Sequence, residues 1–93
     1  MVMTVAESID RKLTAAFAPL ELTVTDDSAL HAGHAGHRPG EQTHFTVRIV
    51  AAAFEGVPRV ERQRRIYAAL DDEFRAGLHA LALKALTPAE AAR

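Results

Sequence analysis

The sequence predicts a single α/β (α+β) domain, in which the elements follow one another as α-β-β-α-β-α around a three-stranded mixed sheet. Apolar residues recur at helical spacing in two segments and alternate with polar residues in three others. A helical segment separates the last two strands, which favours a parallel pair with a right-handed crossover, whereas the first two strands most simply pair antiparallel. With 93 residues the chain is expected to form one domain over residues 1–93.

The first helix is predicted over residues 5–17. Thr4 and Glu7 fit a capping box, and Pro19 ends the helix. Its apolar stripe recurs every four residues and consists of Val5, Ile9, Leu13 and Phe17. The alternation of apolar and polar residues over 20–25 then predicts a half-buried first strand.

Residues 26–42 show no periodicity and contain mainly small and polar residues, proline and histidine. Seventeen residues exceed what a hairpin needs, so we expect a functional or mobile loop, with its histidine- and glycine-rich part at about residues 28–42. The second strand is predicted at about residues 43–51, with Phe45, Val47 and Ile49 on one face.

A turn at residues 52–58 precedes the second helix, which is predicted over residues 59–75. Gly56 can adopt positive φ, Pro58 favours a helix start, and Gly77 is a natural C-cap. The predicted inward stripe, flanked by Ile66, consists of Val60, Gln63, Tyr67, Leu70 and Phe74.

The third strand is predicted over residues 79–86, with His79 on the same face as Leu81 and Leu83. A short helix at about residues 88–92 follows, because Thr87 and Glu90 fit a second capping box. Since parallel strands begin at one edge of a sheet, the loop that leads into strand 2 and the residue that opens strand 3 should converge.

Four of the five histidines, His31, His34, His37 and His44, lie within fourteen residues, and the chain contains no cysteine. Imidazole is the commonest metal ligand. A site with two or three imidazoles and no thiolate is rarely a closed structural site and indicates an incomplete one. Zinc is the competing metal, because neutral imidazoles also suit it. The alternative for the loop histidines is simple solvation, and for His44 it is a structural role.

Composition excludes several classes of protein. The net charge of −1 and the pI near 6.5 argue against general affinity for nucleic acids, and no apolar run has membrane-spanning length. The N-terminal residues 1–13 lack the features of a signal peptide, and the absence of cysteine fits a reducing cytoplasm. We therefore expect a cytoplasmic protein without a membrane partner, monomeric or weakly dimeric when alone.

Four segments together resemble the BolA-like family, whose members are known as stress-induced morphogens and monothiol glutaredoxin partners. They are THFTVRIV at 43–50, FEG at 54–56, RQRRIY at 62–67 and LHALAL at 78–83. The resemblance covers about residues 9–90 and implies a fold similar to the type II KH topology. Gln63 departs from the family pattern, which usually has histidine between two arginines, and we expect this change to affect packing or partner contact.

The resemblance implies an adaptor that binds a monothiol glutaredoxin and shares a two-iron, two-sulfur (2Fe–2S) cluster in iron–sulfur trafficking and iron regulation. His79 matches one family ligand. The second matches His31 when positions are counted forward from residue 26, and His34 when they are counted back from residue 44. Two imidazoles can replace two thiolates on one iron, so the remaining ligands would be a glutaredoxin cysteine and glutathione.

The alternative that the resemblance implies is a DNA-binding transcriptional regulator of stress response and cell morphology, with contacts from Arg62, Arg64 and Arg65. The basic residues and the acidic residues 71–73 of the predicted helix both oppose its macrodipole, which hints at a surface contact. The turn at 54–58 lacks the Gly-x-x-Gly loop of KH domains, which argues against RNA binding in that mode. No nucleophile elbow is recognisable, so we expect no enzymatic activity.

Overall fold

The computed structural model describes residues 4–27, 44–78 and 80–93. Four helices and three strands follow in the order α1 (Val5–Phe17), β1 (Glu21–Asp26), β2 (His44–Val50), α2 (Arg59–Ala69), α3 (Asp71–Arg75), β3 (Ala80–Leu86) and α4 (Pro88–Ala91), with a 3₁₀ turn at Ala52–Phe54. Within these ranges no helix combines the length and the apolar character that a membrane crossing requires.

Both predicted capping boxes are present. The Thr4 hydroxyl accepts from the backbone N–H of Glu7, whose carboxylate accepts from the backbone N–H of Thr4, each at 3.1 Å. Thr87 and Glu90 cap α4 in the same reciprocal way. Four orphan amides are thus satisfied locally, which explains why both helices begin where the sequence predicts.

The sheet has the strand order β1-β2-β3; β1 pairs with β2 in antiparallel fashion and β2 pairs with β3 in parallel fashion, as predicted. Alternation decides its faces: Phe45, Val47 and Ile49 are almost fully buried, whereas Thr46 is exposed. Ile9 and Leu13 of α1 and Ile66 and Leu70 of the second helical region complete the core on the buried face. We call the other face, which carries Thr46, Arg48 and Lys84, the open face.

The second helix differs from the prediction in two ways. A break at Leu70, whose φ and ψ are −104° and 18°, divides residues 59–75 into α2 and α3. The inward stripe runs through Arg62, Ile66 and Leu70, while Val60 is 58% exposed and Tyr67 36% exposed. The stripe is displaced because Arg62 lies inward and Gln63 outward, the reverse of the expectation.

Candidate functional site

The parallel pairing of β2 with β3 fixes where two distant parts of the chain join the sheet. The register sets His44 opposite Ala80 at the beginning of both strands. The chain therefore reaches β2 and β3 at the same end of the sheet, as predicted. We call this end the entry end.

The end of β1 closes the entry end from the other side. Asp26 lies opposite Phe45, and the backbone N–H of Asp27 donates to the carbonyl of His44 at 2.8 Å. The Thr46 hydroxyl donates to the Asp27 carboxylate. Asp27 and His44 flank the segment of the loop histidines and are joined by one backbone hydrogen bond, and the Asp27 side chain makes a second contact with β2 at Thr46.

The ligands that the resemblance implies, His79 and either His34 or His31, lie outside the described residues, as does His37. Their pairing remains a prediction. Of the five histidines only His44 is described; it is half-buried and takes part in an interaction of its own. Within the described ranges no group of three or more histidine, cysteine or carboxylate side chains is arranged to hold a metal ion.

The chemistry of the donor set is compatible with a shared cluster. The chain supplies imidazole but no thiolate, since it contains no cysteine. Two imidazoles suffice for one iron of a 2Fe–2S cluster, and the other iron would need sulfur from a second molecule. A cluster held in this way would bridge two molecules and would not be a cofactor of this chain alone.

Arg62, predicted as an exposed contact residue, is a structural residue instead. Its guanidinium donates to the carbonyls of Val57 at 2.8 Å and Ala85 at 3.0 Å, and it pairs with the Glu90 carboxylate at 2.6 Å. Only 7% of its side chain is exposed, and its guanidinium carbon lies 5.9 Å from the centre of the Phe54 ring. A buried guanidinium with all these partners is not available to nucleic acid, which corrects the prediction for this residue.

The Arg62 pairing also changes the chemistry of Glu90. Hydrogen bonds from Arg62 and from the Thr87 amide lower the pKa of the Glu90 carboxyl to about 2, well below its ordinary value of 4.5. The sequence predicts only the capping role of Glu90. Its second role was missed because the two partners are 28 residues apart and no local spacing connects them.

Arg64 and Arg65 are exposed, as the prediction of surface contacts requires, with side chains 73% and 49% exposed. Glu61 lies 3.9 Å from Arg64 and 3.2 Å from Arg65, so one carboxylate faces both cations. This pairing weakens the positive potential of the outer face of α2. Their contact role stays a prediction.

The acidic residues 71–73 do not oppose a helix macrodipole, contrary to the prediction. Because the helix breaks at Leu70, they form the first turn of α3, where carboxylates are favourable. Glu73 also contacts α1 through the Ser8 hydroxyl at 2.6 Å and Lys12 Nζ at 2.9 Å. Burial raises the pKa of Glu73, but the hydrogen bonds from Ser8, Lys12 and its own backbone amide, together with the charge of Lys12, outweigh it and leave the pKa below its ordinary value. This cluster joins α3 to α1.

Sequence comparisons connect the chain to known proteins. Residues 13–90 match the family described as BolA-like protein. The chain is 46% identical over 92 residues to SufE-like protein 1, chloroplastic/mitochondrial, and 44% identical over 87 residues to Protein BOLA1, chloroplastic, both of Arabidopsis thaliana. These matches cover 95% and 91% of this chain but 24% and 54% of the two relatives, so the chain spans about half their length or less.

A bacterial relative covers more of its own length. The chain is 36% identical over 88 residues to the DNA-binding transcriptional regulator BolA of Haemophilus influenzae. This match covers 95% of this chain and 82% of that protein.

Solved structures show the same fold and confirm the predicted fold class. BolA1 from Arabidopsis thaliana has a TM-score of 0.85 at 40% identity and covers 97% of this chain and 98% of its own. The BolA domain of SufE1 from the same plant has a TM-score of 0.83 at 46% identity and covers 97% and 99%. The chain belongs to the BolA-like protein family.

Proposed function

We propose that this chain is a non-enzymatic adaptor that binds a monothiol glutaredoxin and shares a bridging 2Fe–2S cluster with it, in iron–sulfur trafficking and iron regulation. The observation that supports this most is the parallel register of β2 and β3, which sets His44 opposite Ala80. The segment that contains His31 and His34 leads into β2, and His79 directly precedes β3. In this proposal, two imidazoles from distant parts of the chain would meet at the entry end.

The donor chemistry of the chain supports a shared cluster. His79 and one of His34 or His31 would hold one iron, and the cysteine of the glutaredoxin with the thiol of glutathione would hold the other. The complex of the chain with the glutaredoxin would form in the cytoplasm, where thiols stay reduced. Alone, the chain would be a monomer or a weak homodimer.

The test is reconstitution of iron and sulfide with the chain, a monothiol glutaredoxin and glutathione, followed by visible absorption and circular dichroism. We expect the His79→Ala variant to lose the spectrum of the mixed complex, because one iron ligand is gone. Of His31→Ala and His34→Ala, one should behave in the same way. His37→Ala is the matched control, since it removes an imidazole from the same segment, and it should leave the spectrum unchanged.

Two outcomes would overturn the proposal. An unchanged spectrum for His79→Ala would remove its ligand role. Tight zinc binding by the chain alone, lost in His79→Ala and indifferent to glutaredoxin, would favour a zinc site. Gel filtration of the chain with the glutaredoxin, without iron and sulfide, separates partner binding from cluster ligation. A variant that lacks only an iron ligand should still bind the partner in this measurement.

A DNA-binding regulator is the second candidate. It is supported by the name of the Haemophilus influenzae relative and by the exposure of Arg64 and Arg65. Each arginine that contacts a phosphate should contribute about 0.9 to the slope of log affinity against log salt. Arg64→Ala and Arg65→Ala should each flatten that slope, and Arg75→Ala, which removes an exposed arginine of α3, should not. Equal slopes in all variants would exclude this candidate.

A further inference from the structure

A cleft on the open face of the sheet contains an unusual concentration of positive charge. Its volume is about 390 Å³, within the range of roughly 300–1,000 Å³ that is usual for small-molecule sites. It lies where β2 and β3 end, beside the beginning of α2 and beside α4. The lining residues are Arg48, Arg59, Lys84, Leu86, Glu90, Ala91 and Arg93.

Two of these cations are cross-strand neighbours. The register pairs Arg48 of β2 with Lys84 of β3, so two positive side chains stand opposite each other on one face. Like charges in such positions destabilise a sheet. Glu21 of β1 lies 3.6 Å from Arg48 and compensates one of them, but its side chain is 61% exposed, so the pair is screened by water.

The other charges of the cleft do not cancel this excess. Among residues 4–27, 44–78 and 80–93, no carboxylate forms an ion pair with Lys84 or Arg59, and both side chains are exposed. Glu90 is the one acidic side chain in the lining; it forms an ion pair with Arg62 on the interior side and is also attracted to Arg59. The cleft therefore has an excess of positive charge, since its lining contains four cationic side chains and one carboxylate.

A second, smaller cleft of about 170 Å³ continues the first along β3. The two share Arg59, Lys84 and Leu86, and the smaller one adds the amide side chain of Gln63. No aromatic ring lines either cleft, so neither offers a stacking surface for a nucleobase. Recognition here would depend on charge and hydrogen-bond donors alone.

We propose that this cleft binds an oligophosphate group, either free or as the tail of a nucleotide. Arginine guanidinium groups pair with phosphate oxygens through two parallel hydrogen bonds, and a lysine ammonium adds a point charge. Arg48 and Arg59 supply the former and Lys84 the latter. The cleft is four residues along the strands from His44 and Ala80, about 13 Å from the entry end, and is therefore separate from the proposed cluster site.

Isothermal titration calorimetry of the full chain with inorganic tripolyphosphate, a nucleoside triphosphate and a nucleoside monophosphate tests the proposal. The first two should bind with similar affinity, and the monophosphate should bind about tenfold more weakly because it makes fewer charge-assisted contacts. Lys84→Ala and Arg59→Ala should each weaken tripolyphosphate binding about tenfold. Arg64→Ala, which removes an exposed cation of α2 outside the cleft, is the control and should keep the affinity.

Several results would overturn the proposal. The first is that tripolyphosphate does not bind at millimolar concentration, and the second is that the nucleoside triphosphate binds whereas tripolyphosphate does not. The third is that Arg64→Ala loses as much affinity as the cleft variants, which would indicate diffuse electrostatics. A short DNA duplex is a further arm: binding that needs Lys84 and Arg59 while tripolyphosphate fails would identify a nucleic-acid surface instead. Because Lys84 and Arg59 are exposed, circular dichroism should show unchanged folding in both variants.

Discussion

Replacing Arg62 with leucine tests whether this residue is structural. The guanidinium holds the turn before α2, the end of β3 and α4 together through Val57, Ala85 and Glu90. Leucine keeps apolar contact with the neighbouring core but removes the Arg62 donor from two backbone carbonyls and from the Glu90 carboxylate, which keeps only its hydrogen bond from the Thr87 amide.

The expected loss can be worked out from the two carbonyls alone. A hydrogen bond to a charged group contributes about 1.5–3 kcal/mol, so two at the lower end give about 3 kcal/mol. Glu90 is left out of this sum because 21% of its side chain is exposed and water can hydrate it. For a domain of this size, a loss of 1 kcal/mol lowers Tm by about 4–8 °C, so we expect a fall of roughly 12–24 °C.

Arg64→Leu is the matched control. Arg64 lies on the same helix, is 73% exposed and faces Glu61 at 3.9 Å, so its replacement should cost less than about 1 kcal/mol. Urea unfolding at neutral pH, followed by far-ultraviolet circular dichroism, measures both variants. If their free energies of unfolding agree within about 0.5 kcal/mol, the structural role assigned to Arg62 is wrong.

Three further predictions concern stability. Because the pKa of Glu90 is about 2 in the folded chain, below the ordinary 4.5, its contribution is present above pH 4.5 and is lost as the pH falls toward 2; Glu90→Gln should flatten unfolding free energy against pH in that window. Gly56→Ala should cost about 1 kcal/mol by urea unfolding, since φ is +73° and nothing lies near the added Cβ; no loss would show that the turn relaxes. Thr4→Ala should cost about 1 kcal/mol and lower the helical circular dichroism signal, and an unchanged signal would mean that the α1 cap is dispensable.

The strands and the ends of α1 and α4 could be predicted because their signals are local. A capping box occupies four residues, and alternation in β2 needs only Phe45, Val47 and Ile49 to set its faces. The parallel pairing of β2 with β3 followed from the helix between them. These features depend on short spacings that the sequence displays directly.

The errors in the second helix have tertiary causes. Burial of arginine is favourable only where acceptors are in place. One acceptor for Arg62, the Val57 carbonyl, is local, but the other two groups belong to β3 and α4, far along the chain. No proline or glycine lies at the break at Leu70, so the sequence carries no helix-breaking signal there. The break accompanies a buried Leu70 side chain and the contacts of Glu73 with α1, which no periodicity reveals.

For the candidate site, the sequence predicted the end of the sheet at which it lies but not its side-chain contacts. Strand order alone indicates that the segments before β2 and β3 meet at one end, and the register of His44 with Ala80 agrees. The basic cleft went unnoticed because Arg48 and Lys84 are 36 residues apart and become neighbours only when the parallel register is known. Once that register is drawn, the like-charge pair can be read from the sequence.

The pairing of Arg62 with Glu90 bears on where this unit can be cut from, or joined to, a longer polypeptide. A boundary placed after β3 would remove only the four-residue helix α4. The buried Arg62 guanidinium would then lose the carboxylate that neutralises it. The family match ends at residue 90, the position of that carboxylate. Any excised fragment or fusion should therefore retain the chain through Ala91, the end of α4, even though the sheet is already complete at Leu86.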